Sequence, residues 1–124
     1  PVSGAFSATF ADAHLGWAMG GDWSRPDDNN GNLVQTLDGG ESWSLLSEGQ
    51  GPGYRSSIVH HPKDHNVLVA NGFAGLEWSN DWGASWQSIS DSGSYVARFS
   101  PDGLTLWLAG KESLEKSRWP ANSK

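Results

Sequence analysis

The chain has 124 residues, enough for one domain with a modest core, and a formal net charge of −6 with only eight lysines and arginines. This balance excludes the clustered basic surface that nucleic-acid binding requires and argues against attraction to an anionic membrane. Without cysteine there is neither a disulfide framework nor a thiolate zinc site, and no apolar run reaches the roughly 18 residues of a membrane span.

Short strand-like segments recur along the chain in three rounds of the same order. Turn residues separate them, and no segment shows sustained helical periodicity. The first round is AFSATFAD (5–12), LGWAMGG (15–21) and NLVQT (32–36); the second is YRSSIVHHPKD (54–64), NVLVANG (66–72) and GLEWS (75–79); the third is YVARFSPDG (95–103), LTLWLAG (104–110) and SLEKS (113–117).

The first two rounds each continue into an octapeptide of the same pattern. TLDGGESW (36–43) and SNDWGASW (79–86) align without gaps as hydroxyl residue, any, Asp, any, Gly, any, Ser, Trp. In the third round, Trp119, Ala121 and Lys124 stand where Asp, Gly and Trp are due, so that unit is degenerate and ends after its third strand.

A unit of roughly 40–50 residues with four short strands is typical of a propeller blade. We therefore predict an all-β fold of four-stranded antiparallel sheets, a partial β-propeller of two to three blades. The whole of 1–124 forms one propeller segment, with blades at about 3–48 and 52–91 and a partial blade at about 93–119.

Each octapeptide is expected to form the hairpin between the third and fourth strands of its blade. The Asp accepts hydrogen bonds from backbone N–H groups of the turn, the Gly supplies a positive φ, and the Trp folds under the turn between sheets. These roles are structural rather than catalytic. The predicted structural residues are Thr36, Asp38, Gly40, Ser42, Trp43, Ser79, Asp81, Gly83, Ser85 and Trp86.

Both octapeptides resemble the Asp box, or bacterial neuraminidase repeat, S/T-x-D-x-G-x-T/S-W, at every defined position. Beyond them, GGDWSRP (20–26), GYRSS (53–57) and FSPDGLTLWLAG (99–110) are similar to propellers like the photosystem II stability and assembly factor, often labelled "oxidoreductase". The resemblance covers nearly the whole chain and corresponds to the last two to three blades. It implies a non-catalytic scaffold for a protein or peptide partner, with no cofactor.

The alternative function is a fragment or subunit of a sialidase-like or xyloglucanase-like glycoside hydrolase, so the enzyme question stays open and leans towards no. Sialidase chemistry resembles an arginine cluster that clamps a carboxylate, aided by Tyr and Glu. Arg55 and Arg98 are expected to begin corresponding first strands at the central channel, beside Tyr54. These three are the candidate binding residues, for a carboxylate or a peptide, although an ion pair between Arg55 and a cross-strand carboxylate is slightly favoured.

Other residue sets contain side chains of the types that bind metals or sugars. His60, His61 and His65 lie close together, but adjacent strand residues point to opposite faces, so no metal site is expected. The loop 24–32 fails the spacing of a calcium loop. A carbohydrate could stack on Trp23, Trp78 and Trp82, but blade packing is the favoured role of these rings.

Too few blades are present to close a ring, since closed propellers have 4–8. The chain is therefore expected to be a fragment of a larger propeller or a homo-oligomer in which PVSGAFS (1–7) supplies the missing fourth strand to a neighbour. The start at Pro1 rather than Met fits either removal of a signal peptide or a sequence that begins within a longer chain. The sequence does not fix the compartment, and a secreted or periplasmic location is the favoured interpretation.

Overall fold

The computed structural model describes residues 3–46 and 48–119 of the chain. Their strands form three antiparallel sheets: blade 1 (β1–β4) and blade 2 (β5–β8), each with four strands in sequence order, and blade 3 (β9–β11), with three. The prediction of an all-β partial propeller is confirmed. The strands are β1 (Ser3–Phe10), β2 (Gly16–Asp22), β3 (Leu33–Thr36), β4 (Ser44–Leu45), β5 (Ser57–His60), β6 (Leu68–Gly72), β7 (Gly75–Ser79), β8 (Gln87–Ser90), β9 (Val96–Phe99), β10 (Thr105–Ala109) and β11 (Leu114–Arg118).

The first strand of each blade lies at the inner edge of the assembly. β1 contacts β5 and β5 contacts β9, and each pair of described strands that approaches closely between blades includes a first strand. Because the strands of a blade alternate in direction, the octapeptide turns lie at one end of the blades. The residues just before each first strand lie at the opposite end, together with the turns between second and third strands; we call this the mouth end.

Two apolar cores fill the gaps between neighbouring blades. Trp17, Met19 and Leu33 of blade 1 pack against Ile58, Leu68 and Ala70 of blade 2. Val67, Val69 and Leu76 of blade 2 pack against Ala97, Leu106 and Leu108 of blade 3, with Trp119.

The middle blade is the one covered on both faces. Successive side chains of a strand point to opposite faces, so Leu68 and Ala70 meet blade 1 while Val69 meets blade 3. All five residues of β6 are consequently buried. Its apolar sequence thus reflects burial from two sides rather than the alternation of a one-sided sheet.

The expectation that the N-terminal segment completes a neighbour's blade is wrong for the described residues. From Ser3 onward this segment is β1, paired with β2 through Phe10↔Gly16 and Ser3↔Asp22. The edge of β1 that faces β2 is therefore used within blade 1. Pro1 and Val2 lie outside the described residues.

The tail segment that has helix-forming composition is a strand, as expected. β11 pairs with β10 from Ala109↔Leu114 to Thr105↔Arg118. Among the described residues there is no helix with the length and apolar character needed to cross a membrane.

Candidate functional site

The first octapeptide closes its hairpin through a set of short hydrogen bonds around one carboxylate. Asp38 accepts from the Thr36 hydroxyl at 2.8 Å, from the Ser42 backbone N–H at 2.9 Å and from the Ser42 hydroxyl at 2.6 Å. Gly40 N–H donates to the Thr36 hydroxyl, and Trp43 Nε1 donates to the Gly40 carbonyl oxygen. The hydrogen bonds from Ser42 are the main cause that lowers the pKa of Asp38 to about 2.

The second octapeptide repeats this arrangement atom for atom. Asp81 accepts from Ser79 at 2.7 Å and from Ser85 at 2.9 and 2.5 Å, and Trp86 Nε1 donates to the Gly83 carbonyl oxygen. Burial acts to raise the pKa of Asp81, but the hydrogen bonds from Ser85 and Ser79 outweigh it and the pKa is lowered. Both carboxylates are saturated by their own turns, so neither is positioned as an acid or base for a substrate.

The tryptophans that end the two octapeptides differ in exposure, although the sequence predicts that both lie buried between sheets. Trp86 is partly buried and packs against the core between blades 1 and 2. Trp43 stays 40% exposed and contacts Phe10 edge-on at 6.2 Å. Each of these rings points towards the preceding blade, and in the described chain blade 1 has none.

Arg55 is held by a carboxylate and is not free to clamp a ligand. Its Nε and Nη2 donate to the two carboxylate oxygens of Glu77, each at 2.8 Å, and Nη1 donates to the carbonyl oxygen of Tyr54 at 2.6 Å. The residue is 5% exposed. This bidentate geometry fixes the chain ahead of β5 to β7, and it matches the cross-strand ion pair weighed from the sequence.

The expected convergence of Arg55 and Arg98 is wrong. Arg55 precedes β5, whereas Arg98 is the third residue of β9, so they do not occupy corresponding positions. Arg98 pairs with the exposed Trp107 and lies on the outer face of blade 3. Arg25 is engaged with Asp22 and Asp28 on a surface loop. The structure therefore does not bring these arginines together in the triad that sialidase chemistry needs.

An aromatic patch that sequence reasoning missed lies at the mouth end. Phe6 meets Tyr54 edge-on with ring centroids 5.3 Å apart, and Tyr54 contacts Phe73 at 5.6 Å. Tyr54 is buried, but Phe6 is 49% and Phe73 is 44% exposed. We call these three residues the mouth patch.

Each of the two exposed rings lies at an irregular point of the backbone. Phe6 sits in the irregular step of β1 between Ala5 and Ser7, where the strand loses its register with β2. Phe73 occupies the tight turn between β6 and β7. A turn does not itself require a large apolar residue, so Phe73 in a predicted turn was the sequence feature that indicated an exposed aromatic side chain. Tyr95, before β9, is a further exposed aromatic at this end.

The histidines serve turn and interface contacts. His61 Nδ1 accepts from the Lys63 and Asp64 backbone N–H groups, so its other nitrogen, 3.0 Å from the Gly103 carbonyl oxygen, carries the proton. His60 Nδ1 lies 2.7 Å from the Thr9 hydroxyl, and partial burial lowers the pKa of His60. Within residues 3–46 and 48–119, no group of three or more His, Cys, Asp or Glu is arranged to hold a metal ion.

Comparison with known proteins places the fold. No protein-family model matches the chain. It is similar to the vacuolar protein sorting/targeting protein 10 of Blastomyces gilchristii (strain SLH14081), at 30% identity over 88 residues, 70% of this chain but 6% of that protein.

Solved structures with the same architecture are much longer than this chain. An ancestral GH74 enzyme matches with a TM-score of 0.66 at 18% identity, over 97% of this chain and 19% of that one. The GH74 xyloglucanase from Xanthomonas campestris matches with a TM-score of 0.52 at 14% identity, over 92% and 29%. YCF48 from Cyanidioschyzon merolae matches with a TM-score of 0.51 at 17% identity, over 93% and 37%. These neighbours are β-propeller proteins, and likeness at such identity shows the fold alone.

Proposed function

We propose that the chain is a segment of an Asp-box β-propeller that acts as a non-catalytic scaffold and binds a protein or peptide partner at the mouth patch. The observation that carries this proposal is the exposure of two aromatic rings around a buried Tyr54 at the end of the inner strands. Clustered exposed aromatics are typical of interaction surfaces, since rigid rings bury much area at low entropic cost.

The charge around the patch defines the partner further. Arg55 contributes no free cation because Glu77 neutralises it. The chain as a whole is acidic. We infer a partner segment with an apolar or aromatic anchor and neutral or basic flanks, rather than one recognised through a carboxylate.

The test is selection of linear peptides from a displayed library on the immobilised protein, followed by calorimetry of the selected peptides. Phe6→Ala combined with Phe73→Ala should weaken binding about tenfold or more, the loss expected for central aromatic anchors. Trp23→Ala is the matched control, because Trp23 is 50% exposed in the loop after β2 but outside the patch. Selected peptides that bind the double variant as tightly as the wild type exclude this site.

The alternative, a piece of a sialidase-like or xyloglucanase-like hydrolase, requires charged groups that converge on a substrate. Arg25 and Arg55 are each engaged by carboxylates, and Asp38 and Asp81 by their own turns. Incubation with fluorogenic sialosides, glucosides and xyloglucan should therefore give no turnover. Turnover that falls in the isosteric variant Glu77→Gln would favour the hydrolase.

The proposal includes how the chain is organised. Residues 1–124 form one propeller segment with blades at about 3–48, 52–91 and 93–119. The outer faces of blades 1 and 3 are completed by further blades, either those of a longer protein or those of a second copy in a homo-oligomer. Uncovered, these faces would expose apolar sheet surface.

A further inference from the structure

The blades stack on one another through a repeated contact at their inner strands. Ser7 of blade 1 accepts the backbone N–H of Ile58 in blade 2 at 3.0 Å. Ser57 of blade 2 accepts the backbone N–H of Ala97 in blade 3 at 3.1 Å. Ser7 therefore corresponds to Ser57, and Ile58 corresponds to Ala97.

Strand register carries this correspondence to the second strand of each blade. Ser7 pairs with Met19, and Ser57 pairs with Asn71. Two residues earlier on these strands stand Trp17 and Val69. In blade 2, Ile58 pairs with Ala70, which follows Val69. In blade 3, Ala97 pairs with Leu108, which follows Trp107. Because Ile58 corresponds to Ala97, Trp107 occupies the position of Trp17 and Val69.

Trp17 shows what a tryptophan at this position does. It is fully buried, and its Nε1 donates to the carbonyl oxygen of Trp82, inside the Asp box of the next blade, at 3.0 Å. The two rings stack with centroids 6.3 Å apart. Trp107 points to the outer face of blade 3 and is 39% exposed, with no described blade against it.

The matching acceptor lies in the first box. Gly39 is the fourth residue of its octapeptide, as Trp82 is of the second, and both have positive φ, 76° and 66°. Both backbone N–H groups donate at 3.0 Å to the loop between first and second strands, Gly39 to His14 and Trp82 to Asn66. The Gly39 carbonyl oxygen accepts no hydrogen bond from the residues that the structure describes.

Charge and apolar surface are complementary between these two ends. Arg98, Lys116 and Arg118 lie on the same face as Trp107, and the Lys116 ammonium is 5.8 Å from its ring centroid. The loops and box of blade 1 carry exposed acids instead: Asp12, Asp38 and Glu41.

Both faces also leave apolar side chains uncovered. On blade 1, Phe10 and Trp43 are 39% and 40% exposed, and Leu45 is 56% exposed. On blade 3, Val96 is 44% and Leu114 is 71% exposed. The blade 3 face thus carries a tryptophan donor, basic residues and apolar side chains. The blade 1 face carries the complementary groups: a free acceptor, acids and apolar side chains.

We propose that the outer face of blade 3 docks onto the outer face of blade 1 of a second copy of this chain, with Trp107 Nε1 donating to the Gly39 carbonyl oxygen. This inference rests on the homo-oligomer form of the proposed function and specifies its interface. The contact is head-to-tail, so each copy uses two different surfaces.

Sedimentation of two single-face variants tests this arrangement. Trp107→Ala removes the tryptophan from the blade 3 face. Leu45→Arg places a positive charge on the blade 1 face, where it would repel the basic residues of blade 3. We expect the wild type to assemble in a dilution series, each variant alone to sediment as single chains, and an equimolar mixture to associate through its one intact pair of faces. Trp107→Phe, which keeps a ring but no donor, should raise the dissociation constant about tenfold.

The same sedimentation experiment includes a control variant and a replacement variant. Trp23→Ala, which removes a 50% exposed tryptophan in the loop after β2, should assemble like the wild type. If Trp107→Ala fails to fold by circular dichroism, Lys116→Glu with Arg118→Glu replaces it. A wild type that stays a single chain at every concentration overturns both this interface and the homo-oligomer, but not the mouth patch. Assembly that survives Trp107→Ala, or a mixture that does not associate, overturns this interface alone.

Discussion

The indole Nε1 of Trp17 donates to the carbonyl oxygen of Trp82 at 3.0 Å while the two rings stack at 6.3 Å and 21°. This contact joins the second strand of one blade to the octapeptide turn of the next. The carbonyl is available because Trp82 adopts a left-handed conformation, φ 66°, the one positive φ at a non-glycine among the described residues. The octapeptide turn therefore closes its own hairpin and also accepts a hydrogen bond from the neighbouring blade.

Replacement of Trp17 should separate the stabilisation due to burial of its ring from that due to its hydrogen bond with the Trp82 carbonyl oxygen. Trp17→Ala removes a fully buried ring and should lower the free energy of unfolding by about 3–5 kcal/mol. Trp17→Phe keeps apolar contact but leaves the Trp82 carbonyl oxygen unpaired, and should cost about 1–3 kcal/mol. Urea unfolding measures both.

The control for Trp17 is another tryptophan without these contacts. Trp23→Ala, at 50% exposure, should change stability by no more than about 0.5 kcal/mol. Equal losses for Trp17→Ala and Trp23→Ala would contradict a structural role for the inter-blade contact.

The hairpins were predictable from sequence because their chemistry is local. The donors and acceptors that saturate Asp38 all lie within eight residues, so turn propensity and spacing suffice to infer their roles. The exposure of Trp43 was not predictable, because it depends on whether another blade covers that ring. The same sequence feature gives a packed ring at Trp86 and a half-covered ring at Trp43.

Contacts between elements that are distant in sequence could not be predicted from the sequence. The mouth patch joins β1, the segment before β5 and the turn after β6, and no local pattern links those residues. The position of Arg98 was misjudged because Tyr-Arg before one first strand was aligned with arginine inside another. Burial and register, which require three-dimensional structure, decide between these positions.

Acid should weaken the first hairpin in a defined pH range. The pKa of Asp38 is lowered from 3.8 to about 2 by hydrogen bonds from Ser42 and Thr36. A carboxylate with a lowered folded-state pKa stabilises the fold above its unfolded pKa, and that contribution is lost as pH falls through the folded value. The stability difference between wild type and Asp38→Asn should therefore be largest above about pH 4 and shrink towards about pH 2.

Asp91→Asn is the control for removal of a carboxylate that closes no turn, because the Asp91 side chain is exposed and makes no hydrogen bond within the described residues. Urea unfolding at each pH measures both variants. A constant difference for Asp38→Asn down to pH 2 would contradict the role of the ionised carboxylate.

The glycine of the second octapeptide is constrained by space as well as by conformation. Gly83 has φ +91°, and a Cβ there would lie 3.0 Å from Leu46 and 3.2 Å from Leu68. Gly31 also has a positive φ, +68°, but a Cβ there would meet nothing within 4 Å. Gly31→Ala should cost about 1–2 kcal/mol for conformation alone, and Gly83→Ala about 1–3 kcal/mol more for overpacking. Thermal unfolding of the two variants side by side checks the order, which a larger loss in Gly31→Ala would reverse.

The Arg55–Glu77 pair should behave as a buried structural ion pair rather than a ligand site. Side chains of both residues are largely buried, at 6% and 15% exposure, so removal of one partner strands a charge away from water. Arg55→Ala should cost about 3–5 kcal/mol, whereas Arg55→Met combined with Glu77→Leu should cost much less because no charge remains unpaired. Arg25→Ala is the surface control and should cost less than about 1 kcal/mol, since its side chain is 71% exposed. Additive losses in the double variant would mean that the two side chains stabilise the fold independently, and the anchoring of Tyr54 by this pair would then need another explanation.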